Sequence, residues 1–184
     1  MVVMYLAGHG VHEEDRHYPL CADTRPGRWT RALAAEDLAR PLMQSLVGHL
    51  LVMLDTCYAA AGTADIGRLA TDLADLHRGR ANRWLLAAAR SRDRAKENVF
   101  VDALTDVFTS PRHGATQQYV SVREVTVRVH AHFKIHRPTQ QARLTATDTD
   151  GQEPFFPSPR IWRGPFSPGL ASLLVMALPT GKIE

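Results

Sequence analysis

The sequence has little of what defines several common protein classes. It contains only two cysteines, Cys21 and Cys57, and neither belongs to a CxxC motif, so we expect no disulfide framework and a reducing, cytoplasmic location. No run of 18 apolar residues occurs, and the best candidate, LASLLVMAL at 170–178, is too short to span a membrane. The N-terminal segment has no basic region and no cleavage site, so we predict neither a signal peptide nor a membrane partner.

Positive charge is present but is not concentrated. Basic residues exceed acidic residues by three, yet no run of five or six Lys or Arg occurs, so we expect no nucleic-acid partner. The loop RSRDRAKE (90–97) lacks interleaved aromatic residues and is interpreted as a solvated loop.

Histidines outside the main motif are interpreted as structural or solvent-facing. His130, His132 and His136 have no nearby carboxylate or cysteine to complete a ligand set, so we predict a solvated face and no metal site. His12 and His17 lie in a polar segment and are expected at the surface. Cys21 is expected to be a buried small residue.

Three short apolar runs have the length and composition of buried strands: VVMYLA (2–7), HLLVML (49–54) and WLLAAA (84–89). Amphipathic helices are predicted between and after them, at 35–47, 64–78 and 99–108. Strands that are apolar throughout and alternate with helices predict an α/β fold with a mostly parallel sheet flanked by helices on both faces. One domain is expected over residues 1–160, followed by a C-terminal extension or linker at 161–184.

The remaining segments give weaker signals. Residues 11–34 are expected to form an excursion or hairpin. The run after Ser121 also alternates with period two, but Ser121 and Glu124 have capping-box spacing and favour a helix. Residues 137–160 are predicted to be a loop with one short strand near Pro154–Phe156.

Two of the predicted strands end in chemically reactive side chains. His9 follows the first strand and Cys57 follows the second, and ligand sites of parallel sheets lie beyond the carboxyl ends of the strands. A thiol becomes a strong nucleophile beside an imidazole. The backbone N–H groups of Gly10 and Cys57 are candidates for an oxyanion hole.

YLAGHG (5–10) followed by LLVMLDTCYAAAG (50–62) resembles the caspase and metacaspase superfamily of cysteine peptidases, in its bacterial branch. The separation of 48 positions from His9 to Cys57 matches the family's known spacing of about 50. YPLCADT, AAEDLARPL and WLLAAARSRDRAKE also resemble family segments, so the likeness covers roughly residues 1–157.

The resemblance implies a caspase-hemoglobinase fold and a cysteine endopeptidase in which Cys57 is the nucleophile and His9 the general acid/base. It also implies that Asp55 lines the P1 pocket and favours Arg or Lys there, with Glu97 as the second pocket acid and Asp93 as a weaker alternative. The alternatives are purely structural: Asp55 caps the turn around Cys57, and Glu97 is a solvated acid at the start of a helix. We expect no cofactor; some metacaspases need calcium, but no acidic cluster here predicts it.

The chain departs from the family pattern in two respects. Tyr58 and Ala59 do not match the metacaspase cysteine motif, and the strands that precede the histidine strand in family members are missing, which suggests an N-terminally truncated domain. Strand 2–7 is then expected to be an exposed edge that recruits a second copy or another partner. The alternative function is a catalytically weak, caspase-fold signalling or interaction module; otherwise the expected partner is a protein or peptide substrate.

Overall fold

A computed structural model describes residues 2–21, 24–25, 32–45, 47–74, 82–90, 94–96, 98–109, 119–136, 139–147, 155–157 and 172–177. These residues form a mixed α/β fold. The strands are β1 (Val2–Ala7), β2 (Gly10–Glu13), β3 (Arg16–Pro19), β4 (His49–Asp55), β5 (Asn82–Ala87), β6 (Tyr119–Ser121), β7 (Arg143–Thr147), β8 (Phe155–Pro157) and β9 (Ser172–Ala177). The helices are α1 (Ala35–Met43), α2 (Ala59–Ala74), α3 (Val99–Thr109) and α4 (Val122–His136).

The main sheet has five strands in the order β7-β5-β4-β1-β9. The pairings of β5 with β4, β4 with β1 and β1 with β9 are parallel, while β7 runs antiparallel to β5 at one edge. The predicted α/β fold with a mostly parallel sheet is therefore confirmed.

Successive side chains of the central strands point to opposite faces, and each face is covered by helices. Leu51 and Met53 of β4 pack into one cluster with residues of α3 and α4. Leu50, Val52 and Leu54 pack into a second cluster with residues of α1 and α2. This two-sided burial explains why these strands are apolar throughout and could be found in the sequence.

Several local predictions are confirmed. The polar excursion begins with the β2–β3 hairpin, in which Gly10 pairs with Pro19. The ambiguous run after Ser121 is helix α4, and the Ser121 side chain accepts a hydrogen bond from the Glu124 N–H at 3.1 Å. The short strand expected near Pro154–Phe156 is β8, which pairs with β6.

Two predictions about strands are wrong. Residues 143–147 were expected in a loop but form β7, because the alternating sequence RLTAT suits an edge strand that is paired on one side. Strand 2–7 is not an exposed edge: β9 pairs with it in parallel from Val2–Ser172 to Ala7–Ala177, so its backbone N–H and C=O groups on that side have partners. The region expected to be a linker thus contributes a strand to the sheet.

Within the described ranges, no helix combines the length and the apolar character needed to cross a lipid bilayer.

Candidate active site

The register of β1 and β4 brings the two reactive residues to one edge of the sheet. The pairing ends at Ala7 opposite Asp55, and the Gly8 N–H donates to the Asp55 carbonyl at 3.1 Å. His9 and Cys57 each lie two residues beyond this last pair, directly after two neighbouring parallel strands. The His9 side chain is exposed and the Cys57 side chain is half-buried.

The backbones of the two loops are in direct contact at Gly10. A Cβ atom at this position would lie 2.8 Å from the Cys57 carbonyl oxygen and 3.1 Å from the Cβ of Thr56. Real side chains do not tolerate such distances, so the close approach of the histidine loop to the cysteine turn requires glycine here. The predicted role of the Gly10 N–H in an oxyanion hole stays a prediction.

Cys57 lies in a tight turn between β4 and α2. Tyr58 adopts a left-handed conformation with φ of 59°, which is unfavourable for a residue with a side chain. The turn is held by hydrogen bonds from the N–H of Ala61 to the Tyr58 carbonyl (2.9 Å) and from the N–H of Ala60 to the Ala89 carbonyl (3.0 Å). The thiol therefore stands just before the N-terminus of a 16-residue helix.

The segment after β5 lies against the thiol. The Cys57 Sγ is 3.9 Å from the Ala95 carbonyl oxygen. The pKa of Arg94 is raised because its guanidinium is hydrogen-bonded by Tyr58 and is close to both Tyr58 and Cys57. Arg94 is exposed, as expected for a solvated loop, but a loop arginine gives no signal in the sequence of what it faces.

Gln140 fastens this loop to the sheet. Its side chain is buried, its Nε2 donates to the Ala88 carbonyl at 3.0 Å, and its Oε1 accepts from the Lys96 N–H at 3.2 Å. The amide NH₂ group and the amide oxygen of Gln140 thus bind the two ends of the loop, and these bonds hold residues 94–96 beside Cys57.

Asp55 is a buried carboxylate at the base of this edge. It is 8% exposed, and its Oδ2 accepts a hydrogen bond from the Tyr5 hydroxyl at 2.9 Å. Burial raises the pKa of Asp55 to about 6, while the hydrogen bond from Tyr5 opposes this shift. Among the described residues, no Lys or Arg forms a salt bridge with it. Within the described part of the site, Asp55 is thus a carboxylate without a cation. Its hydrogen-bond donor, Tyr5, is not predicted by the sequence motifs.

The expectation that His17 lies at the surface is wrong. Its side chain is fully buried, and its Nε2 lies 3.0 Å from the Cys57 carbonyl oxygen and 3.1 Å from the Thr56 Oγ1. Burial, as the largest cause, lowers the pKa of His17 to about 4. The hairpin folds back onto the cysteine turn, which is a tertiary contact that the polar local sequence does not indicate.

The other candidate residues are placed as follows. Glu97 and Asp93, the predicted second acids of the pocket, lie outside the described residues. His12 is exposed as predicted, and Cys21 and Cys57 are free thiols, with Cys21 half-buried rather than buried. The His132 Nδ1 is 3.9 Å from the Asp106 Oδ2, and the described part of the chain contains no group of three ligands suited to a metal ion.

Comparison of the sequence with protein-family models and with curated proteins gives no match.

Opposite pKa shifts predict opposite pH dependences for two variants. The pKa of His17 is 6.5 in the unfolded chain and about 4 in the folded protein, so the unfolded chain binds the proton more readily. Burial of His17 therefore destabilises the fold as the pH falls from 6.5 toward 4. The pKa of Asp55 is about 6 in the folded protein and 3.8 in the unfolded chain, so the folded protein binds the proton more readily. At this residue, acidification therefore stabilises the fold. Each contribution is about 3 kcal/mol, and the two largely cancel in the wild type.

We therefore expect urea midpoints measured between pH 7 and pH 4.5 to diverge. Asp55→Asn should become more acid-labile than the wild type, and His17→Gln less so. Other titrating groups are common to all three proteins and drop out of the comparison. Parallel pH profiles for the three would contradict the shifts.

Proposed function

We propose that the protein is a cysteine endopeptidase of the caspase and metacaspase type that cleaves after Arg or Lys. The observation that carries the proposal is the β1–β4 register, which leads a histidine and a cysteine to the same edge of neighbouring parallel strands. The helices on both faces of the sheet are compatible with a caspase-like fold. The resemblance of the His-Gly and Asp-x-Cys motifs supports the same assignment.

In the proposed reaction, the Cys57 thiolate attacks the carbonyl carbon of the scissile peptide bond. The charge that develops on the carbonyl oxygen is stabilised by N–H groups of Gly10 and Cys57. His9 donates a proton to the leaving amine, which departs as the C–N bond breaks and a thioester forms. His9 then accepts a proton from water, and the resulting hydroxide attacks the thioester to release the acid and regenerate the thiolate, with His9 again protonated.

Two features of the turn support activation of the thiol. The N-terminus of α2 directs its positive end toward residue 57, and the guanidinium of Arg94 lies nearby. In the proposed reaction, both place positive charge near the sulfur that attacks the substrate, and positive charge activates a cysteine nucleophile. Cys21 has neither feature among the contacts of the described residues, and its N–H instead donates to the Thr24 hydroxyl in a local turn.

Asp55 supports the preference for a basic P1 residue. A buried carboxylate without a cationic partner is costly, and a substrate guanidinium or ammonium that binds it compensates the burial. The Asp55 side chain is on the face of the sheet occupied by Tyr5 and Phe100, whose rings are stacked at 6.4 Å. The proposed pocket therefore combines an acid at its base with the half-buried ring of Tyr5 for the aliphatic part of the substrate side chain, whereas Phe100 is fully buried and does not line it.

A covalent probe tests the proposal directly. We expect a peptidyl chloromethyl ketone ending in Arg to alkylate Cys57 within minutes, while Cys21 in the same molecule serves as the internal control and stays free. The matched probe ending in Asp should react far more slowly with Cys57. Peptide mapping by mass spectrometry identifies the modified residue.

The same experiment distinguishes the alternative function. Absence of any adduct at Cys57 in folded protein, together with no cleavage of fluorogenic peptides ending in Arg or Lys, would favour the interaction module. Equal labelling of Cys57 and Cys21 would show that Cys57 is an ordinary thiol. Faster labelling by the Asp probe would reverse the specificity assigned to Asp55.

A further inference from the structure

His17 is the most deeply buried titratable side chain near the cysteine turn, and the proposed reaction does not use it. It lies in β3, with 0% of its surface exposed. The Nε2 atom contacts the turn at two points, the Cys57 carbonyl oxygen at 3.0 Å and the Thr56 Oγ1 at 3.1 Å. One of these oxygen atoms belongs to Cys57 itself and the other to the residue before it.

The partners of the ring define its tautomer. The Cys57 carbonyl can only accept a hydrogen bond, so the Nε2 of His17 must carry the proton and donate it. Among the described residues, the Nδ1 has no hydrogen-bond partner. The ring is neutral at physiological pH, because its burial lowers the pKa to about 4. His17 therefore presents one N–H group, directed at the turn.

Two glycines provide the space that the ring occupies. A Cβ at Gly10 would lie 2.8 Å from the His17 Nε2, and a Cβ at Gly62 would lie 2.7 Å from its Nδ1. The ring is thus held between the start of β2 and helix α2. The His17 backbone N–H also donates to the buried Asp65 Oδ2 at 2.9 Å, which fastens the hairpin to the same helix.

The turn that His17 contacts has a backbone conformation that needs support. Tyr58 has a φ of 59°, and such conformations persist when neighbouring contacts determine them. A hydrogen bond to the Cys57 carbonyl fixes the peptide plane between Cys57 and Tyr58. Together with the Thr56 contact, it restricts both the direction of the thiol and the direction of the Cys57 N–H.

We propose that His17 is a positioning residue, whose Nε2–H holds the Cys57 turn in the orientation required for nucleophilic attack. The inference rests on the proposed cysteine peptidase function for its effect on catalysis. Its contact with the turn is through backbone and hydroxyl oxygens, so His17 is distinct from His9, which acts on the substrate.

Three substitutions separate the donor from the volume of the ring. In His17→Gln, the side-chain amide nitrogen stands at the same number of bonds from the backbone as Nε2 and can donate to the Cys57 carbonyl. In His17→Asn, the donor stands where Nδ1 was and cannot reach it. His17→Leu fills the space without a donor.

The turnover number kcat is measured on a fluorogenic peptide ending in Arg and is divided by the amount of Cys57 that an active-site titrant labels. We expect this kcat to fall about 10- to 100-fold in His17→Leu and His17→Asn, with KM changed less than threefold. His17→Gln should recover kcat to within about threefold of the wild type. A merely structural role would lower the fraction of folded protein in all three variants without changing kcat per titrated site. That pattern, or equal losses in His17→Gln and His17→Leu, would overturn the proposal.

Two readouts do not depend on peptidase activity. The ¹⁵N shifts of the His17 ring in the wild-type protein should show a protonated Nε2 and an unprotonated Nδ1, and the reverse tautomer would overturn the proposal. Alkylation of Cys57 by iodoacetamide, normalised to Cys21, should slow at least threefold in His17→Leu and recover in His17→Gln. If peptides are not cleaved but these two results hold, the proposed function fails while the positioning contact stands.

Discussion

Cys57→Ala should abolish peptide hydrolysis, with a loss of at least about a thousandfold in kcat/KM on a peptide ending in Arg, because the nucleophile is removed. Cys21→Ala, which removes the other free thiol, should stay within about twofold of the wild type. The comparison controls for loss of a cysteine as such. It is made with fluorogenic peptides at matched concentrations of folded protein.

His9→Ala should lower kcat/KM by about 10²- to 10⁴-fold, because proton transfer to the leaving amine is lost. If the two residues act as a unit, the double variant should be no slower than Cys57→Ala alone. His12→Ala is the matched control, since His12 is an exposed histidine in the adjacent hairpin. More than a tenth of the activity remaining in Cys57→Ala, or unchanged activity in His9→Ala, would refute the assigned dyad.

Asp55→Asn should lower kcat/KM on peptides ending in Arg or Lys by roughly 30- to 5,000-fold, because a buried charged pair loses about 2–5 kcal/mol when one partner is removed. Asparagine keeps the size of the side chain and can still accept a hydrogen bond from Tyr5. A neutral P1 residue gains nothing from the carboxylate, so the variant should change its cleavage little. The exposed Asp72→Asn is the control for loss of one negative charge.

The carboxylate also predicts the pH profile of this specificity. In the free enzyme, kcat/KM for basic substrates should fall as the pH drops through about 6, where Asp55 becomes protonated. Tyr5→Phe removes the hydrogen bond that opposes this protonation, so the midpoint should move to higher pH. Cleavage after Asp in preference to Arg, or an Arg/Asp preference unchanged in Asp55→Asn, would exclude Asp55 from the pocket.

The sequence predicted those elements whose own residues determine them. The central strands β1, β4 and β5 each contain an apolar run because both of their faces are buried, and this pattern is visible without knowledge of their neighbours. Helix α4 was identified through its capping residues, although its alternating pattern also suits a strand. In each case a local signal is sufficient.

The elements that were missed depend on their partners. The alternating segment RLTAT forms β7 because it pairs with the free edge of β5. The segment SLLVMA is apolar but flanked by Pro and Gly, and it forms β9 because it pairs with the free edge of β1. His17 has polar neighbours in sequence, yet its ring is buried because the hairpin folds onto α2. Likewise, the approach of Arg94 to Cys57 depends on the course of a loop. The motifs located the site, but the residues that shape it come from contacts distant in sequence.

The pairing of β9 with β1 has a consequence for how the protein is made. β1 leaves the ribosome before β9, with the other three strands of the sheet between them in the sequence. At about 5–20 residues per second, roughly 10 to 30 s separate their emergence. During this interval the apolar VVMYLA strand, which leads to His9, can pair with β4 on one side only. Completion of the sheet beside the histidine strand therefore waits until residues 172–177 have been synthesised, and nascent chains that stop before residue 172 present the open edge that β9 otherwise covers.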